Sequence, residues 1–242
     1  MSENLEYKTG DHSFRSNDEY ANAKYDITAN WLQLGSLSGS SDKSIANVGC
    51  GSGEFSQRVA SWGYKVVACE PERIAYEIAK KSCSTFPSIH IKNVGLEEFS
   101  DTTPQVDLLV MHDVLEHIEN ESHAISCVAK LVKKGGQAVI SVPAFNWLFG
   151  NHDVQLGHFR RYTKSRLIQL FEKDFEIVNS RYYGSFFIPV TLLFSRILKK
   201  SYPTGAVTAS SWKQTAFKTL CQVQMGLPEP IGTSVLIHGV RK

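Results

Sequence analysis

The sequence predicts a three-layer α/β fold, and three observations carry that expectation. Residues Val48-Gly49-Cys50-Gly51-Ser52-Gly53-Glu54-Phe55 close one apolar run and open a helical one. A second apolar run, Tyr64-Lys65-Val66-Val67-Ala68-Cys69, ends in Glu70, seventeen positions past Gly53. Further on, Val106-Asp107-Leu108-Leu109-Val110-Met111 and Gln137-Ala138-Val139-Ile140-Ser141-Val142-Pro143 read as buried strands. With 242 residues and 42% hydrophobic content, one domain with additions can bury such a core.

The elements follow in order. Residues 1 to 16 are polar and expected to be mobile unless a ligand orders them. Asn17 or Asp18 can cap a helix running through Tyr20, Tyr25, Ile27 and Trp31 to about Leu34, and Gly35 to Ser44 reads as a Ser and Gly linker. A third strand is expected around Ile89 to Asn93. After Met111, the run His112-Asp113-Val114-Leu115-Glu116-His117-Ile118 predicts a helix start, and Lys133-Lys134-Gly135-Gly136 a helix exit and turn. Thr163 can cap a helix over Lys164 to Phe171, followed by a strand over Phe175 to Arg181. The apolar stretch Tyr182 to Arg196 is interrupted by Pro189 and is too short for a bilayer span, which needs about 20 apolar residues. It can be pocket wall, core, a dimer contact or an interfacial helix. A polar loop over Ser201 to Ser211, a helix over Lys213 to Gln224, a stop at Pro228-Glu229-Pro230-Ile231-Gly232 and a strand over Thr233 to Lys242 complete the chain.

Glycines at alternate positions let a backbone pass close beneath a ligand, and Glu70 could accept from a ribose diol. Together they describe a nucleotide-bearing ligand across the carboxyl ends of two parallel strands. A dinucleotide fits less well. Counting G-x-G-x-x-G from Gly49 puts Glu54 where a third small residue belongs, and counting from Gly51 puts Ser56 there. The G-x-G-x-G form followed by Glu54 instead resembles the S-adenosylmethionine loop of class I methyltransferases. The order of glycine loop, acidic strand end, D-x-L-x-V strand, L-E-H-I, G-G turn and strand ending in Pro resembles that family from about residue 17 to 183 and again in the C-terminal strand.

The resemblance implies a Rossmann-like seven-stranded sheet whose last strand runs antiparallel between its neighbours. It divides the chain into a core with an N-terminal helical lid (1–183), a helical insertion or cap on the substrate side (184–230) and a strand completing the sheet (231–242). S-adenosylmethionine would be the cofactor and S-adenosylhomocysteine the product. The implied cofactor side is Gly49, Cys50, Gly51, Gly53, Phe55, Glu70, Pro71, Leu96, His112, Asp113 and His117. One departure stands out: where many relatives carry an acid for the adenine amino group, this chain has Gly95 or Leu96, leaving backbone groups or Glu97 in a shifted register. The string from Asp153 through Gly157-His158-Phe159-Arg160-Arg161-Tyr162-Thr163 resembles bacterial methyltransferases of sugar, lipid-linked or secondary-metabolite pathways.

Methyl transfer needs an aligned nucleophile and exclusion of water. For a hydroxyl acceptor a base helps, and histidine is the natural type. His158 and His152 are the candidate bases, with Asp153 able to orient either. Arg160 and Arg161 could clamp an anionic group, and Trp147, Tyr162, Tyr20 and Tyr25 are candidates for the acceptor side. The alternative for His158 and Arg160 is pinning the loop through backbone carbonyls, and core packing for one of the tyrosines. The chemistry asks for no metal, and the His152, Asp153 and His158 spacing is unlike H-E-x-x-H. N-methylation, an NAD(P)-binding oxidoreductase and an idle cofactor-binding relative remain as other readings.

Residues 1 to 156 hold 13 Lys and Arg against 20 Asp and Glu, while residues 157 to 242 hold 13 against 4, so halves of −7 and +9 underlie the net +2. The basic half favours a small anionic or lipid-linked acceptor, or is a solvated face. Without a basic stretch interleaved with stacking aromatics, nucleic acid is not expected. Five cysteines with no C-x-x-C pair read as reduced, and the N-terminus shows no secretory signal. The expected location is cytoplasmic, with contact at the inner face of the membrane as a variant, and the expected state a monomer or homodimer.

Overall fold

A computed structural model describes residues 18–35, 42–198 and 211–242. The expectations for residues 1 to 17, for most of the Gly35 to Ser44 linker and for the Ser201 to Ser211 loop lie outside them.

Alternation of apolar strands with amphipathic helices produces one seven-stranded sheet. The elements are α1 (Glu19–Trp31), β1 (Ser44–Val48), α2 (Glu54–Ser61), β2 (Lys65–Cys69), α3 (Arg73–Ser82), β3 (Ile89–Lys92), α4 (Leu96–Thr102) and β4 (Val106–His112). Then come α5 (Glu121–Leu131), β5 (Val132–Pro143), α6 (Asn151–Leu156), α7 (Lys164–Phe171), β6 (Phe175–Tyr183), α8 (Ile188–Leu192), α9 (Ser211–Gly226) and β7 (Ser234–Arg241). The strand order is β3-β2-β1-β4-β5-β7-β6; the first five run parallel and β7 lies antiparallel to both neighbours. Strand order reverses at β1 and β4, so the loops after them flank the crevice where ligands bind in such sheets.

Central strands buried on both faces need continuous apolar sequence, and β4 supplies it with Leu108, Leu109, Val110 and Met111. One core layer packs α4, α5 and α7 on the sheet through Phe99, Ile125, Val128, Leu167 and Phe171. The other packs α2 and the end of α1 through Phe55, Val59, Leu32 and Leu34. A smaller cluster joins Ala23 and Ile27 of α1 to Tyr183, Cys221 and Leu236, which seats α1 beside β6, β7 and α9.

Three local expectations change. The first helix ends at Trp31 rather than near Leu34, because the chain turns there and Gln33 takes φ 55°. No helix begins at His112: β4 includes it, Asp113 takes φ 53°, and Leu115–His117 is a single 3-10 turn. The true start is Glu121, where the Asn120 side chain accepts from the His123 amide. The Gly135-Gly136 turn is absorbed as a bulge of β5, which already begins at Val132. Thr163 caps α7 as expected, accepting from the Arg166 amide. Between β6 and β7 the described residues form α8, a π-helical turn over Leu193–Leu198, and α9.

Candidate active site

The glycine loop leaves β1 with Gly49, Gly51 and Gly53 at φ 64°, 56° and 94°. A Cβ on Gly49 would stand 2.3 Å from Val114 Cγ2, and one on Gly53 2.6 Å from Cys83 Sγ, so both side chains are excluded twice, by conformation and by space. At the tip of β2, buried Glu70 accepts from the Gly51 amide (2.9 Å) and the Glu72 amide (3.0 Å), tying the loop to the neighbouring strand. Asn93, which sequence reasoning passed over, donates to the Glu70 and Pro71 carbonyls at 2.8 and 3.1 Å. Cys50 is buried and its amide donates to the Cys69 carbonyl. The result is a rigid cradle of backbone with a carboxylate at one end.

Several expected contacts are committed elsewhere. Phe55 is buried against Tyr25 and His112, with ring centroids at 5.2 and 5.5 Å, and serves the core. Tyr25 packs in the same trio rather than at a rim. The Tyr20 hydroxyl sits 2.7 Å from Thr233 Oγ1 and 2.9 Å from Ser234 Oγ, bolting α1 to the start of β7. Leu96 is buried in the first turn of α4, while Glu97 faces solvent beside His123. Tyr162 is core. Arg160 donates to the Ile118 and Glu119 carbonyls, which is the loop-pinning alternative rather than an acceptor clamp. Arg161 is buried and forked onto Asp153 at 2.7 and 2.9 Å, so it too is withdrawn from a ligand. Trp147 remains 42% exposed.

Past the end of β4 the charged groups converge. Buried Lys24 of α1 pairs with Asp113; burial would lower the lysine, but the charge and hydrogen bond of Asp113 together with Tyr20 raise it above its ordinary value. Burial would raise Asp113, but Lys24 holds it below the usual carboxylate range. Burial pushes His112 down to about 3, keeping the imidazole neutral between Ser141 Oγ and Thr28 Oγ1. His117 and His152 are likewise pushed down to about 4 by burial.

The loop carrying His158 is stitched to the turn after β4. The Phe159 amide donates to the Glu116 carbonyl (2.8 Å), and Arg160 holds the two carbonyls beyond it. Beneath the loop, fully buried Asp153 accepts from His158 Nδ1 at 2.8 Å and from Arg161, so these bonds outweigh burial and lower its carboxyl to about 2. His158 and His117 meet edge to face, ring centroids 4.6 Å apart. Glu116, fully buried, brings a carboxylate to the pair: one donor atom from each of Glu116, His117 and His158 lies within 4.8 Å of the others. Burial, with Asp113 nearby, raises Glu116 well above its ordinary range. Glu116 was missed in the sequence because it reads as an ordinary exposed position of a helix start.

A sequence profile described as a methyltransferase domain matches residues 19–179. The chain belongs to that family. Its sheet order, with the antiparallel strand inserted next to last, is the class I arrangement, and class I methyltransferases use S-adenosylmethionine. Over 118 residues (48% of the chain) it is 31% identical to ubiquinone biosynthesis O-methyltransferase of Dechloromonas aromatica, covering 50% of that protein. Over 104 residues (42% of the chain) it is 32% identical to the mitochondrial protein of that name from Schizosaccharomyces pombe, covering 38%. The chain thus spans about half or less of the length of these curated relatives. The crystal structure of N-methyltransferase NodS from Bradyrhizobium japonicum WM9 with S-adenosylhomocysteine aligns with 100% of this methyltransferase chain and 99% of its own. The TM-score is 0.64 at 15% identity, which is a likeness of fold. Among the described residues, no helix is long and apolar enough to cross a membrane.

Proposed function

We propose that the protein transfers the methyl group of S-adenosylmethionine to a hydroxyl of a small acceptor, with His158 taking the hydroxyl proton. The glycine cradle fits the cofactor: three glycines at positive φ leave no Cβ between backbone and ligand, and the Glu70 carboxylate stands at the strand end where a ribose diol would lie. Bound there, S-adenosylmethionine supplies a methyl already activated on a charged sulfur. His112 and Asp113, at the end of β4, border the same crevice.

The observation that carries the hydroxyl reading is the Asp153–His158 pair. A carboxylate on Nδ1 fixes the tautomer and leaves Nε2 as the free proton acceptor. An amine nucleophile attacks as the free base and has less use for that arrangement. The Asp153 oxygens are taken up by His158, Arg161 and the Gly150 amide. The relatives named for O-methylation agree in acceptor atom, and a lipid-linked or anionic acceptor would suit the basic C-terminal half.

Calorimetric titration with S-adenosylhomocysteine beside NAD and NADP tests the cofactor. Binding of a nicotinamide nucleotide instead would overturn the assignment. With a labelled methyl donor and hydroxyl and amine acceptors, His158→Ala should lower turnover about 100-fold or more and His152→Ala less than about tenfold. If neither exceeds tenfold, base catalysis by this loop is wrong.

A further inference from the structure

We propose that Gly150 and Ser195 are positioning residues: the π-helical turn over Leu193–Leu198 rests on the backbone of Gly150 and thereby holds in place the carboxylate that fixes the His158 ring. Their role rests on the reading of His158 as the base.

Gly150 leads from the turn Asn146–Leu148 into α6. Its φ of −154° is extended backbone that any residue adopts, so conformation does not ask for glycine here. Space does. A Cβ would stand 2.4 Å from Ser195 Cβ, 2.8 Å from Ser195 Cα and 3.1 Å from the Ser195 carbonyl oxygen. Two backbones therefore touch, and the atoms that would be struck are not the free end of a side chain that could swing away. Ser195 is buried and its hydroxyl has no hydrogen-bond partner among the described residues, so what it brings to the contact is bulk. A π-helical turn pressed on the loop that carries Asp153 and His158 agrees with the frequent placement of such turns at functional sites.

Behind the contact lies the base. The Gly150 amide donates to Asp153 Oδ2 at 2.9 Å, while Asp153 Oδ1 accepts from His158 Nδ1 at 2.8 Å. The Gly150 carbonyl accepts from the Val154 amide at 3.2 Å, so Gly150 belongs to the first turn of the helix on which Asp153 stands. Pushing residue 150 aside moves both the amide and the carboxylate, and a misplacement of about an ångström is enough to cost well-aligned chemistry about 100-fold. The other side of the contact is anchored. Ser185 donates its amide and hydroxyl to Glu229 Oε1 at 3.2 and 2.6 Å, closing the start of the 184–230 segment on its end. Arg181 of β6 donates to the Gln224, Met225 and Leu227 carbonyls where α9 finishes. α8 lies against the turn Asn146–Leu148, in which the Asn146 side chain accepts from the Arg161 amide at 2.8 Å.

The test is the ¹⁵N signal of the His158 ring in wild type, Gly150→Ala, Ser195→Gly and the double variant, at about pH 8, where the two nitrogen shifts tell which one carries the proton. The signal is assigned by its absence in His158→Gln. Wild type should hold the proton on Nδ1, and Gly150→Ala should draw the two shifts together as the fixed tautomer is lost. Ser195→Gly removes the carbon nearest the added methyl, so the double variant should recover more than about half of the wild-type separation, whereas two independent defects would add. Ser195→Gly alone adds no atom and should narrow the separation by less; it stands in where Gly150→Ala does not melt cooperatively. Affinity for S-adenosylhomocysteine should stay within about threefold of wild type in all of them, as for sites that do not share partners. Gly226→Ala, in open space on the same segment, should change neither readout. An unchanged His158 signal in the single variants that melt cooperatively, or a double variant no better than Gly150→Ala, would overturn the positioning role. A perturbed His158 ring in Gly150→Ala, in a protein whose turnover survives His158→Ala, supports that role and refutes the base. A wild-type ring in Gly150→Ala beside a large loss in His158→Ala refutes the role and leaves the base standing.

Discussion

Asp153 has no exposed surface, and its two oxygens take four donors: His158 Nδ1, Arg161 Nε and Nη2, and the Gly150 amide. Removing one partner of a buried pair leaves the other uncompensated, so Asp153→Asn should cost about 3–5 kcal/mol in urea unfolding. The folded-state carboxyl lies near 2, below its unfolded value near 3.8. Its stabilisation is therefore complete above about pH 4 and disappears as pH falls through about 2. The slope of stability against pH between 4 and 2 should be shallower by about one proton in Asp153→Asn, and an unchanged slope would show that another group carries the acid sensitivity. The glycines and Glu70 were legible as site residues because backbone freedom and a strand-end carboxylate are local properties. Arg161 and Tyr162 were not, because the sequence shows a charge or a ring and not whether the docked loop turns it inward.

At the scale of elements, α1 is held by two different means. Ala23 and Ile27 pack against Tyr183, Cys221 and Leu236, whereas Lys24 reaches Asp113 at the end of β4. Asp113 takes φ 53°, a conformation tolerated by Asp because its short polar side chain suits the left-handed region. Phe145, at the end of β5, takes φ 61°, which no such property eases; its ring stacks on Tyr182 at 4.9 Å and its amide is held by the Tyr162 carbonyl. Lys24→Met should raise amide exchange across α1 by about tenfold while the sheet stays protected. No change would mean that apolar packing alone holds the helix. Helix caps at Asp18 and Thr163 were readable in advance. The turn at Leu115–His117 was not, because L-E-H-I has helical periodicity and only the bend at Asp113 breaks it.

For the whole molecule, β7 is the keystone, since it pairs with β5 and β6 at once and places Val235, Leu236 and Ile237 in the core. Deleting residues 234–242 should abolish near-ultraviolet circular dichroism and cooperative melting. A folded truncated protein would show that β6 can close the sheet by itself. The five cysteines, all buried with free thiols, add no covalent tie that could compensate.

Sequence by itself determined the alternating strands and helices, the glycine cradle, the Glu70 position and, through them, the methyltransferase family, because periodicity, glycine placement and motif order are written along the chain. Tertiary structure alone decided which polar groups are buried together. It set Arg160 on the Ile118 and Glu119 carbonyls, Arg161 and His158 on Asp153, and Glu116 beside His117 and His158. Burial and partner choice are properties of packed segments, and residues 116 and 158 meet only when the loop after β5 closes on the turn after β4.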